Sequence, residues 1–102
     1  MSKSVGAVLL TMGKRPIELA RALNSLKSQN CIELDLVIVG NGWDPATTFP
    51  SEKTLFLPEN LGIPAGRNAG VAKVVGQYLF FLDDDAYLDS ASSMTALIEK
   101  LE

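Results

Sequence analysis

Three stretches of this chain, residues 5–11, 34–39 and 77–82, are almost wholly apolar and do not alternate with polar residues. Each stops abruptly at residues that break extended structure: Met12-Gly13, Gly40-Asn41-Gly42 and Asp83-Asp84-Asp85. A strand with one wet face alternates; a strand apolar on both sides must be covered on both sides. Short strands of this kind belong inside a parallel sheet with helices packed on its two faces. With 102 residues, of which 47% are hydrophobic, the chain supports one such core and is too small for two. Residues 1–102 are therefore read as one domain.

The segments between the strands fit that architecture. Pro16 suits the first turn of a helix, and Leu19, Leu23 and Leu26 then recur at helical spacing. Residues 54–57 form a short third strand stopped by Pro58, with 46–51 as a loop standing where a crossover helix is missing. After Gly62-Ile63-Pro64 a second helix is predicted to run to about Val75, and Gly66 and Gly70, one turn apart, imply close approach of that helix to the sheet. Asp89 or Ser90 is placed to cap a last helix whose apolar stripe is Met94, Leu97, Ile98 and Leu101. The order strand, helix, strand, strand, helix, strand, helix, joined by right-handed crossovers, gives an α/β, Rossmann-like, mostly parallel sheet. Its simplest spatial order is 3-2-1-4.

Ligands of such sheets bind beyond the carboxyl ends of the strands, where the strand order reverses. That point falls between the first and fourth strands, and the polar residues gather around it. Thr11, Lys14 and Arg15 follow the first strand, Asn41 and Asp44 the second, Asn60 and Gly62 the third, and Asp83, Asp84 and Asp85 the fourth. Three adjacent carboxylates repel one another unless a cation or solvent intervenes. Asp83 and Asp85, alternate in an extended segment, are expected to share a face. A hard divalent cation shared with a diphosphate would relieve them. The alternative is a solvated acidic turn, and the position at the crevice favours the metal. Arg67, in the first turn of its helix, suits a phosphate and equally suits a neighbouring carboxylate. Trp43 is read as a pin holding its loop to the core in preference to a platform for a base. Tyr78, Phe80 and Phe81 are read as core.

Charge and composition narrow the chemistry. Nine Lys and Arg against twelve Asp and Glu leave a net charge of −3, with no basic surplus for nucleic acid. The chain has no histidine, which excludes an imidazole base or a His-ligated metal within it. The single Cys31 forms no internal disulfide and is expected to be a small buried or half-buried residue in a reducing compartment. The N-terminal apolar run is too short to span a bilayer and lacks a small-residue cleavage pattern, so the expectation is a cytoplasmic protein with no transmembrane segment.

The run Asn60-Leu61-Gly62-Ile63-Pro64-Ala65-Gly66-Arg67-Asn68-Ala69-Gly70 resembles the N-x-G-x-x-x-A-R-N-x-G segment of family 2 glycosyltransferases, which have the GT-A fold. Residues 78–85 resemble their strand leading into the D-x-D motif, and 11–15 resemble their T-x-x-R loop with one residue extra. The resemblance covers nearly the whole chain. It implies transfer of a sugar from a nucleotide diphosphate, commonly with Mg²⁺ or Mn²⁺. Thr11 and Arg15 would then lie by the base, with Asp83 and Asp84 toward the ribose and base. Asp85 would ligate the metal, and Arg67 would lie close to the donor.

Two departures stand out. The family often carries an acid after the second strand, where this chain has Gly40; Asn41 or Asp44 is available in its place. The acceptor half that follows the D-x-D strand, with its acidic general base, has no counterpart here. The chain is expected to be the truncated, nucleotide-sugar-binding half of a GT-A domain, inactive alone, with an unknown acceptor. It is also expected to self-associate through an exposed fourth strand. Alternatives are a catalytically silent nucleotide-binding or assembly module and a fragment of a sugar-nucleotide nucleotidyltransferase. The latter calls for a Gly-rich loop after the first strand, where only Gly13 is found.

Overall fold

The computed structural model describes residues 2–102. The elements are β1 (Lys3–Thr11), α1 (Pro16–Lys27), β2 (Ile32–Asn41), β3 (Thr54–Leu57), α2 (Ile63–Val71), β4 (Tyr78–Asp83) and α3 (Ser93–Leu101). The four strands form one sheet in the order β3-β2-β1-β4, every neighbouring pair parallel. Both the α/β class and the strand order read from the sequence are found.

Alternation along the strands divides the core into two layers. Val5, Ala7 and Leu9 of β1, Leu36 and Ile38 of β2 and Leu82 of β4 face one side, where Leu19, Ala22, Leu23 and Leu26 of α1 and Met94 and Ile98 of α3 cover them. Val8, Leu10, Val37 and Val39 face the other, which α2 covers with Val71, joined by Val74 just beyond it. The small residues of α2 let it lie against the strands. A Cβ on Gly66 would stand 2.7 Å from a Leu10 methyl, and one on Gly70 would stand 2.5 Å from a Val8 methyl. A larger residue at either position would require its neighbours to shift.

Several expectations need correction. The second helix ends at Val71, not near Val75. The N–H groups of Lys73 and Val74 bond to the carbonyls of Gly70 and Val71, three residues back. These tight turns drop Val74 into the core. Asp35 then holds the Val75 N–H at 2.8 Å through Oδ2. The last helix starts from Ser92, not from Asp89 or Ser90, and Ser92 makes no side-chain cap. One of its first N–H groups is served from the turn after α1: the Met94 N–H donates to Gln29 Oε1 at 2.9 Å. Ser90 Oγ accepts the Ser92 N–H at 3.1 Å and so braces the preceding turn.

Cys31 is exposed, not buried. It closes the turn after α1 with φ of 59°, in the left-handed region, while its carbonyl accepts the Lys3 N–H. Phe81 is 39% exposed, because it lies on the α2 side of an edge strand that α2 does not reach across. Tyr78 and Phe80 do pack on the α1 side. At the amino end of the sheet, Glu102 accepts hydrogen bonds from Tyr78 Oη and Lys3 Nζ. The bond from Tyr78, and then that from Lys3, hold the Glu102 carboxyl below its ordinary range, and the bond to Glu102 holds the Tyr78 phenol above its own. No described helix is long and apolar enough to cross a membrane.

Candidate functional site

The carboxyl ends of β1, β2 and β4 open onto a cleft of about 400 Å³. Its walls come from the β1 end and the loop after it (Leu10, Thr11, Met12, Lys14, Arg15), from Asn41, from the start of α2 (Asn60, Gly62, Ile63), and from Asp83, Asp84 and Asp85. This is the point of strand-order reversal, and the expected convergence of polar residues is present there.

Alternation sets the direction of each group. Thr11 continues the α1-facing row of β1 and is buried. Its hydroxyl donates to Asp84 Oδ2 at 2.7 Å and accepts the Gly13 N–H at 2.9 Å. Asp83 continues the α2-facing row of β4, where Arg67 meets it: the guanidinium Nη2 lies 3.2 Å from both carboxylate oxygens. Strand pairing stops at Asp83, and the Ala86 N–H turns back to the Asp83 carbonyl. Arg15 therefore gathers the two following residues, with Nη1 3.7 Å from Asp84 and 3.2 Å from Asp85.

Two arginines thus relieve the repulsion within the Asp triplet, the part assigned to a cation in the sequence reading. Asp83 and Asp85 do not share a partner, since the turn at 84–86 interrupts the alternation. The carboxylates also differ in access: the Asp84 side chain is 15% exposed and that of Asp85 is 60%. Among the described residues no three His, Cys, Asp or Glu side chains form a ready metal cage. Hard carboxylate oxygens at an open cleft nonetheless suit a cation that draws its remaining ligands from phosphate and water, and Asp85 is the most accessible of them.

The other expected residues take different positions. Asn41 is buried at the end of β2. Its Nδ2 donates to the Gly62 carbonyl at 3.1 Å, and its Oδ1 accepts the Leu61 N–H at 2.9 Å. It lines the cleft and also fixes the loop that starts α2. Asp44 does not line the cleft; its Oδ1 accepts the Ala46 N–H at 3.0 Å in an exposed turn. Arg67 stands behind the wall, 5.6 Å from the Phe81 ring centre, and its buried Nε has no hydrogen-bond partner. Trp43 packs on the α1-side core, as a pin. Met12 and Ile63 line the cleft and were missed in the sequence. Each follows the end of a strand or a glycine break, which was the available signal, but an apolar side chain carries no chemical flag.

Comparison with solved structures places this fold among GT-A glycosyltransferases. The mannosyltransferase PcManGT from Pyrobaculum calidifontis, in complex with GDP-Man and Mn²⁺, aligns with a TM-score of 0.79 at 18% identity, over 99% of this chain and 33% of that one. S. aureus TarS 1-349 in complex with UDP aligns with a TM-score of 0.75 at 21% identity, over 97% and 31%. A longer S. aureus TarS chain aligns with a TM-score of 0.69 at 23% identity, over 97% and 19%. The chain thus spans a third or less of the length of each. No curated protein sequence matches it. The family model for glycosyl transferase family 2 matches residues 8–102, and the chain belongs to that family.

Proposed function

We propose that the cleft binds the nucleoside diphosphate of an activated sugar together with Mg²⁺ or Mn²⁺, as the donor-binding part of a glycosyltransferase. The observation that carries this reading is the convergence of Thr11, Arg15, Asn41 and the Asp triplet on one cleft at the strand-order reversal. The likeness to proteins solved with UDP and with GDP-Man and Mn²⁺ supports it. Arg15 and Lys14 supply positive charge at the mouth for phosphate oxygens. Arg67, behind the wall, holds Asp83 in place through both carboxylate oxygens. Asp85, with Asp83 or Asp84, would hold the cation. That ion, when bound, would neutralise charge on the departing nucleoside diphosphate.

Residues 1–102 are proposed to bind donor without transferring it, because acceptor positioning and proton transfer supply much of such a rate. The reading also includes association of two copies along β4, an edge strand with Leu79 and Phe81 exposed.

Calorimetry with UDP, GDP and dTDP tests the site. Asp85→Ala is expected to weaken binding in Mn²⁺ and to change it little in EDTA. Equal affinity of both proteins in both conditions removes the metal role. The same preparation, given a UDP-sugar, is expected to release UDP no faster than buffer does.

A further inference from the structure

We propose that Trp43 is a positioning residue of the cleft: its indole is the seat on which the β1–α1 loop rests, and it sets where Thr11 and Arg15 meet the Asp triplet. The proposal builds on the nucleotide-binding reading above. Trp43 does not itself line the cleft.

One glycine makes room for the ring of this residue and another for its backbone. Gly13 has φ of +75°, and a Cβ there would lie 2.2 Å from Trp43 Cδ2 and 2.5 Å from both Cγ and Cε2. Three ring atoms so close to one point mean that the indole is pressed against the Gly13 backbone. The backbone of Trp43 is in turn folded closely against the end of β2. A Cβ on Gly40 would lie 1.8 Å from the Trp43 carbonyl oxygen and 2.6 Å from Pro45 Cδ, and Pro45 is fully buried. The ring also packs on the α1-side core. The end of β2 therefore fixes Trp43, and Trp43 fixes Gly13.

Gly13 is the residue through which that position reaches the site. Its N–H donates to Thr11 Oγ1, whose own proton goes to Asp84. Arg15, two residues on, pairs with Asp84 and Asp85. The loop's other side-chain tie is a 3.0 Å contact of Asn60 Nδ2 with Met12 Sδ. A flat ring is what the Gly13 backbone needs beneath it. Phenylalanine keeps that face, whereas leucine fills volume without it. Displacements of about 1 Å in such supports can cost two orders of magnitude in function.

The test compares Trp43→Leu with Trp43→Phe in the 102-residue chain. The first readout needs no ligand. Lys14 is exposed in the loop, and trypsin needs an extended segment, so cleavage after it rises as the loop lifts; the next bond, Arg15–Pro16, resists because proline follows. Cleavage after Arg21 within α1 measures global unfolding in the same digest. The second readout is calorimetric affinity for UDP and for GDP, each with Mn²⁺. Trp43→Leu is expected to raise cleavage at Lys14 relative to Arg21 about tenfold and to weaken nucleotide binding by a similar factor. Trp43→Phe stays near wild type in both, even where the two variants lose melting temperature equally. A Trp43→Leu protein with an unchanged Lys14 to Arg21 ratio overturns the proposal, as does one that binds as tightly as Trp43→Phe. If the wild type binds neither nucleotide while cleavage still separates the variants, the seat stands and the nucleotide reading falls. Should Trp43→Leu not fold, Gly13→Ala displaces the loop from the other side and is expected to open Lys14 in the same way; protection of Lys14 in that variant counts against the seat.

Discussion

At the scale of single residues, Asn41 shows how one side chain ties two parts of the site together. Its amide spends a donor on the Gly62 carbonyl and an acceptor on the Leu61 N–H, out of reach of bulk water. Asn41→Ala leaves both backbone groups without their partner and is expected to destabilise the fold by about 1–3 kcal/mol, measured by urea unfolding. Asn41→Asp is expected not to rescue it, because a carboxylate can still accept from Leu61 but sets an oxygen against the Gly62 carbonyl. A substitution series in which Asp performs as well as Asn contradicts the bracket. The sequence placed Asn41 after the second strand, and the structure makes it the last residue of that strand. Its hydrogen bonds to a loop twenty residues away were not legible, since they depend on β3 returning the chain beside β2. Arg67 is similar. Its position allowed either a phosphate or a carboxylate, and only the parallel pairing of β4 with β1 brings Asp83 beside it.

At the scale of elements, β4 is bonded to β1 on one side and to no other described strand on the other. Leu79 on its α2-facing row is 49% exposed, and the strand has neither proline nor charge before Asp83. Such edges pair with other chains unless they are blunted. Light scattering is expected to show an apparent mass that rises from 11.0 kDa with concentration. Leu79→Lys, remote from the Asp triplet, is expected to hold the protein at the monomer mass. A wild type that stays monomeric throughout dilution removes the association. The apolar run itself was plain in the sequence, and so were the strand and its neighbour. Which aromatic faced a helix was not, because a run apolar on both rows gives no phase; the structure splits it into Tyr78 and Phe80 against α1 and α3, and Leu79 and Phe81 toward a gap.

At the scale of the whole molecule, side-chain ties hold the layers away from the cleft. Asp35 of β2 meets Lys53 Nζ at 2.5 Å ahead of β3, and Lys53 also reaches the Lys73 carbonyl at 2.6 Å beyond α2. The hydrogen bond from Lys53, and then that from the Val75 N–H, hold the Asp35 carboxyl below its ordinary value. A depressed folded pKa means that the contribution is complete above the unfolded value of about 3.9 and disappears as pH falls through the folded one. The gap in melting temperature between wild type and Asp35→Asn is therefore expected to be widest near neutrality and to close below about pH 4; a gap independent of pH refutes the tie. None of this network was visible in the sequence, because it joins residues 18 to 40 positions apart. Cys31 was misread for a related reason: a small thiol suggests burial, and only the left-handed turn after α1 shows that it faces water. That turn has a practical consequence. The chain's one thiol stands at the amino end of β2, and the ten residues of that strand, at about 3.3 Å each, put roughly 30 Å of sheet between it and the cleft. A maleimide anchor on Cys31 would hang every molecule from a surface in the same orientation, with the cleft turned toward the solution.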